Sequence, residues 1–186
     1  MALRDGAKFS DGTDVTVADV VNALEVNMAD ATCGAFLSFI DSVAEKDDKT
    51  VTIKLKYPFA LLKDRLTVAK VFPASLTEDQ LKTMPIGSGP WMYESVNGDD
   101  GGTIKFVPNP NYEGQYKPTA DAMEWNILLD GTARTTALQE ATVQVMENVP
   151  DANAEQLMAA GASVDYIQGF NQPFLHVQHA QEAVRR

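Results

Sequence analysis

The chain has 186 residues, 45% apolar and 22% charged, which is room for one ordinary domain or two small subdomains around a real core. Its 15 Lys and Arg stand against 26 Asp and Glu, a formal charge of -11 that repels phosphate backbones and anionic lipid. Nucleic-acid and membrane-surface binding are therefore set aside, and no basic run argues for either.

No stretch reaches the ~18 apolar residues that span a bilayer, and no charged-then-apolar leader opens the chain. Met1 to Gly6 reads as the end of a strand entering a turn, so the sequence is expected to be an excised piece. The one thiol, Cys33, allows no internal disulfide and no multi-cysteine metal site. It follows no apolar run, so it is not a lipid-attachment cysteine, and it reads as a small, buried or half-buried residue.

The predicted elements begin after two Asp-Gly turn signals, Asp5-Gly6 and Asp11-Gly12. Thr16 caps a helix, with Asp19 at the capping-box position and Val17, Val20, Val21, Leu24 and Met28 on one apolar face. A second short helix is expected over Gly34 to Ile40. Ser42 to Lys46 and Thr50 to Lys56 read as a hairpin around Asp47-Asp48-Lys49, with Val51, Ile53 and Leu55 on the buried face. A helical turn is expected over Ala60 to Leu66. Thr77 caps a short helix to Lys82.

The Pro- and Gly-rich run Pro85 to Pro90 marks a boundary near Met84-Pro85. A second hairpin follows, Trp91 to Val96 and Thr103 to Val107, around the loop Asn97 to Gly102. Further on, strands are expected at Met123 to Leu129, Val143 to Met146 and Ser163 to Ile167. Helices alternate with them: one capped by Thr132 and running through Glu140, and one from Asp151 to Ala160 ended by Gly161. This alternation argues for an α/β layer, so the fold class is α/β in a mixed α+β sense. A last helix is expected over Val177 to Arg186.

A search for chemistry returns no catalytic or metal site and no cofactor. His176 and His179 lie at i, i+3 without the acidic partner of a zinc-protease pattern. Gly87-Ser88-Gly89 lacks the strand-to-helix turn of a hydrolase elbow and leads through Pro90 into a strand, which fits a Gly-Pro hinge better. Asp99-Asp100-Gly101-Gly102 lacks the spaced oxygens and distal Glu of a calcium loop. No phosphate-cradling loop or dinucleotide fingerprint is present. The chain does not read as an enzyme.

Five ordered blocks do carry information. Leu3-Arg4-Asp5-Gly6, Phe9, Asp11-Gly12 and Val15 to Val21 form the first, and Pro85-Ile86-Gly87-Ser88-Gly89-Pro90-Trp91 the second. Asn109-Pro110-Asn111-Tyr112, Thr135 to Gln139 and Glu147-Asn148-Val149-Pro150 follow, with a further run of Phe170-Asn171, Pro173-Phe174 and Val177. Together they resemble the oligopeptide, dipeptide and nickel-type (family 5) solute-binding proteins of ABC importers, over essentially the whole chain. Departures fall at Pro108, Glu113, Gln144, Gln178 and Ala180, where that family often carries Arg, Trp, Asp and two basic residues.

The resemblance implies the first lobe of a two-lobed class II periplasmic-binding-protein fold. It places most of a small subdomain in residues 1–84, part of a large subdomain in 85–172, and the start of a second lobe in 173–186. It implies capture of peptides or similar small solutes outside the cytoplasm, in the periplasm or on a lipid-anchored surface, and delivery to an ABC permease. In that family the lobes close over the ligand and peptides are held largely through their main chain.

Ligands of α/β sheets sit beyond the carboxyl ends of strands. That rule singles out Glu147 and Asn148 after the Val143 strand, and Gln168, Gly169 and Asn171 after the Ser163 strand. The resemblance points to the same stretches. Glu147 would pair a ligand ammonium, Asn148 and Asn171 would satisfy peptide amides, and Gly169 would admit a close backbone. Alternatively, Asn148 and Asn171 merely cap strand ends. Two other functions stay open: a small serine hydrolase using Ser88, and a structural module self-associating through exposed apolar surface.

Overall fold

A computed structural model describes residues 1–167, which separate into one unit covering Met1–Leu128 and another beginning at Leu129. Helices and antiparallel strands are mixed in the first unit, and the described residues of the second carry two helices. The Gln168, Gly169 and Asn171 positions, both histidines and the expected helix from Val177 lie outside the described residues.

In the first unit, α1 (Val17–Ala29) starts where the sequence places it. The Thr16 hydroxyl accepts from the Asp19 N–H at 3.3 Å, and the Asp19 carboxylate accepts from the Thr16 N–H at 2.8 Å. The α1 face carrying Val17, Val20 and Leu24 packs with Phe9, Val15 and Val51 into one cluster. Next, α2 (Cys33–Phe36) is a single turn, shorter than the helix expected to Ile40. Ile40 already begins a strand, because its buried side chain joins Leu37 and Phe39 in a second cluster.

Strands β1 (Ile40–Asp47) and β2 (Thr50–Leu55) form the expected hairpin, pairing Val43 with Ile53 and Glu45 with Val51. Met1 to Leu3 lies along the other edge of β2. The Met1 amino group donates to the Val51 carbonyl at 2.6 Å, the Val51 N–H donates back to Met1 at 2.8 Å, and the Leu3 N–H donates to Lys49 at 2.7 Å. The opening residues thus pair with β2 through an isolated antiparallel bridge, Ala2 with Thr50, shorter than the strand end expected, and the turn that follows has Gly6 in the left-handed region (φ 69°). Two short helices follow, α3 (Leu62–Leu66) and α4 (Glu78–Thr83), the latter with a Thr77/Gln80 capping box.

A three-stranded antiparallel sheet, β3 (Trp91–Val96), β4 (Thr103–Pro108) and β5 (Met123–Asn126), completes the unit. Phe106 is buried at its centre between the rings of Tyr93 and Trp125. β5 ends three residues before the expected Leu129. Its ladder with β4 stops at the Thr103–Asn126 pair.

Three of the sequence blocks meet here. The Ser10 N–H donates to the Gly87 carbonyl at 2.8 Å, and the Asn111 side-chain amide donates to the Ser10 carbonyl at 3.2 Å. Buried Asn109 donates to the Gly89 carbonyl at 2.8 Å and accepts from the Asn111 N–H at 2.9 Å. The Pro-Gly run is therefore a strap pinned from two sides.

In the second unit, α5 (Gly131–Gln139) is capped by Asp130, whose carboxylate accepts from the Ala133 N–H at 2.8 Å. Thr132, the expected cap, is the second residue of the helix, within its first turn. A carboxylate one residue before the helix reaches the free N–H groups and meets the positive end of the dipole. The second helix, α6 (Asp151–Ala159), buries Ala154 and Leu157 and ends as expected at Gly161 (φ 95°).

The strands expected at Val143 to Met146 and Ser163 to Ile167 do not form. Four or five apolar residues become a strand only where a neighbour supplies a ladder. Among the described residues none does, and Val145 and Ile167 remain 81% and 94% exposed.

Candidate functional site

Glu147 and Asn148 lie in the connection between α5 and α6, and its geometry is set from both sides. At its start, α5 closes with paired hydrogen bonds from Ala141 N–H to Leu138 and from Thr142 N–H to Ala137, at 3.1 and 3.0 Å. This is the six-to-one and five-to-two pattern that normally uses glycine, yet Ala141 occupies the left-handed position at φ 56°. The Thr142 hydroxyl adds a second donor to the Ala137 carbonyl at 2.9 Å.

At its end, Asn148 also adopts a left-handed backbone, φ 54°. Asparagine tolerates that region better than most residues. The Arg134 guanidinium reaches across, donating from Nη1 to the Leu129 carbonyl at 2.8 Å and from Nη2 to the Asn148 carbonyl at 3.4 Å. Gly131 makes the approach possible: a Cβ there would stand 3.0 Å from the Pro150 ring and 3.6 Å from Nη2 of Arg134. The Thr135 hydroxyl, buried beneath, donates to the Gly131 carbonyl at 2.9 Å.

The result is a short, pinned segment that presents the exposed side chains of Glu147 and Asn148 to solvent. A carboxylate next to a carboxamide offers acceptors for an ammonium and both donor and acceptor for a peptide unit. The two residues are not at a strand terminus, because the Val143 strand that would have led to them is absent. What places them is the left-handed turn and the Arg134 clamp. Sequence reasoning missed Arg134, although it directly precedes the Thr135 to Gln139 block.

Other locations offer less. Ser88 lies within the strap between Gly87 and Gly89, both of whose carbonyls are engaged, and the chain runs on into β3. A groove of about 330 Å³ lies beside Arg4, Asp5, Asp14 and Lys49, where the exposed Lys49 and Asp5 pair with each other at 2.5 Å. Among the described residues, no group of three or more His, Cys, Asp and Glu side chains is placed to hold a metal ion.

Comparison with known proteins gives a consistent picture. The family model for bacterial extracellular solute-binding proteins, family 5 (middle), matches residues 1–184. The glutathione-binding protein GsiB of Pectobacterium atrosepticum is 30% identical over 166 residues, covering 83% of this chain and 31% of that protein. The oligopeptide-binding protein AppA of Bacillus subtilis, solved with a nonapeptide, superposes with a TM-score of 0.66 at 26% identity, over 83% of this chain and 33% of that one. AgaA of A. tumefaciens R10, solved with agropinic acid, gives 0.68 at 28% identity, over 86% and 33%. The chain spans about a third of the length of these relatives.

Proposed function

We propose, since this chain belongs to the bacterial extracellular solute-binding proteins, family 5, that it forms part of the solute-capturing component of an ABC importer. Its cargo is a peptide or a similarly built small solute, held and released without chemical change. The observation that carries this reading is the combination of the family match over residues 1–184 with the pinned Glu147-Asn148 segment. Left-handed non-glycine residues are costly and concentrate where a side chain must be presented in a fixed way. Among the described residues only Ala141 and Asn148 are of this kind, and both lie in the connection between α5 and α6 that carries the segment.

In this reading residues 1–84 are most of a small subdomain, 85–172 part of a large one, and 173–186 the beginning of a second lobe. Glu147 pairs a ligand ammonium and Asn148 bonds a peptide unit. Gln168, Gly169 and Asn171 complete this side of the cleft. The ligand's main chain supplies most of the affinity, as in an added strand, and a permease receives the loaded form. The protein works outside the cytoplasm. Among the described residues no helix is long and apolar enough to cross a membrane.

Glu147→Gln and Asn148→Ala test the site in the natural polypeptide that carries these residues. Each is expected to weaken tetrapeptide binding about tenfold, the loss of one charge-assisted or amide hydrogen bond, with the denaturation midpoint unchanged in Glu147→Gln and lowered in Asn148→Ala, where alanine would occupy a left-handed backbone. Unaltered affinity in both variants would remove these residues from the cleft.

A second reading is favoured by Trp125, Leu129 and Val145, which are 53%, 73% and 81% exposed. Apolar side chains left in water invite self-association of the isolated chain. Light scattering distinguishes the two readings: a clean monomer counts against association.

A further inference from the structure

We infer that Asn97 is a site of spontaneous backbone modification, converting through a cyclic imide to aspartate and isoaspartate. Asn97-Gly98 is the one place in the sequence where Asn precedes Gly. Both residues are exposed at the tip of the β3–β4 hairpin. The side chain is already folded back over the following peptide: the Asp99 N–H donates to Asn97 Oδ1 at 3.4 Å, which brings Cγ toward the Gly98 nitrogen. Gly102, from the far side of the loop, also crowds this side chain, since a Cβ there would stand 2.7 Å from Asn97 Cγ.

The nucleophile is accessible. The Gly98 N–H donates to no acceptor among the described residues, and the space where a Gly98 Cβ would stand is open. Once that N–H gives its proton to water or hydroxide, the nitrogen attacks Asn97 Cγ. A new N–C bond closes the five-membered imide. The Cγ–Nδ2 bond breaks, and the amide nitrogen leaves as ammonia after taking up a proton. Water then opens the ring at either carbonyl. No electron transfer occurs, and the only co-reactant is water.

Competing sites are poorer. Asn109 precedes Pro110, which has no N–H to ionise, and Asn22 and Asn27 lie within α1. The product adds a negative charge beside Asp99 and Asp100. The isoaspartyl form also inserts a backbone carbon next to the Asn97 N–H···Thr103 carbonyl bond of 3.2 Å, which closes the hairpin.

The test is incubation of the whole chain in mildly alkaline buffer, with peptide mapping by mass spectrometry and enzymatic isoaspartyl methylation. The expected result is conversion at Asn97 ahead of every other Asn, faster at higher pH, and slowed about tenfold by Gly98→Ala, whose methyl group shields the nitrogen and restricts the backbone. Alanine is tolerated, since the position is open and its φ is not left-handed. Conversion of Asn97 no faster than that of Asn111 or Asn153, or rates indifferent to Gly98→Ala, would overturn the inference.

Discussion

Arg134 holds the backbone at Asn148: its guanidinium donates to that residue's carbonyl at 3.4 Å while gripping the Leu129 carbonyl at 2.8 Å. One planar fork thus ties the entrance of α5 to the connection that leaves it. A lysine at this position has a single ammonium and cannot reproduce the fork. Arg134→Ala is expected to cost about 1 kcal/mol in denaturant unfolding and to speed amide exchange at Asn148 and Val149. Arg134→Lys should restore only part of both. Exchange at those amides unchanged in Arg134→Ala would show that the clamp does not fix the segment.

The same connection contains a strained alanine. Ala141 stands at φ 56° where α6, built with the same closing hydrogen bonds, places Gly161. Replacing Ala141 by Gly relieves the Cβ clash with the carbonyl, and Gly's looser unfolded state returns part of the gain. Thermal unfolding should rise by an equivalent of about 0.5–1 kcal/mol. A fall in stability would mean that Ala141 is unstrained.

Asp19 makes stability depend on pH. Its Oδ1 accepts from the Ala74 N–H at 2.8 Å, and Oδ2 accepts from the Thr16 N–H and hydroxyl at 2.8 and 2.7 Å. Burial works against the charge, but the bonds from Ala74 and Thr16 outweigh it and hold the carboxyl below the ordinary carboxylate range. Because the folded value is depressed, the stabilisation is complete at neutral pH and is lost as pH falls through that lowered value. Asp19→Asn should cost about 1–3 kcal/mol at neutral pH and should lose less than the wild type on acidification. Equal acid losses in the two proteins would assign the dependence to other carboxylates.

The strap around Pro85 to Pro90 gives a further expectation. Asn109→Ala strips a donor from the Gly89 carbonyl and an acceptor from the Asn111 N–H at a site only 5% exposed. Unfolding in urea should be easier by about 2–3 kcal/mol. Asn109→Asp, which keeps the acceptor, should recover part of that loss. No change in Asn109→Ala would mean that water replaces both bonds.

These particulars separate what was legible in the sequence from what was not. The Thr16/Asp19 box and the two hairpins were read correctly because each is decided by residues a few positions apart. Thr132 is the α5 cap that the sequence suggests and Asp130 the one that the structure uses; both are good caps, and only the backbone fixes which lies before the first turn. The Val143 and Ser163 strands misled because alternation and apolarity report a surface able to pair, not the presence of a partner. The knot among the blocks spans 101 residues between Asn111 and Ser10, and the Arg134 clamp bonds backbone carbonyls, which carry no residue-specific pattern. The Glu147-Asn148 segment was thus visible as a block, while what holds it there was not.

Under the proposed division into lobes this chain supplies one side of the cleft and part of the contacts, while the entropy of association must still be met. The 186-residue chain alone is therefore expected to bind peptides weakly or not at all. Calorimetric titration that gave submicromolar affinity for a peptide would contradict that division of the cleft.

The central claim is capture without chemistry, and one measurement addresses it most directly. The natural polypeptide carrying these residues is dialysed to equilibrium against a mixture of tetrapeptides, and the retained and free pools are weighed by mass spectrometry. The account predicts that peptides accumulate on the protein side with their masses intact, and less so with Glu147→Gln. Peptides recovered as hydrolysis products, or evenly distributed across the membrane, would contradict it.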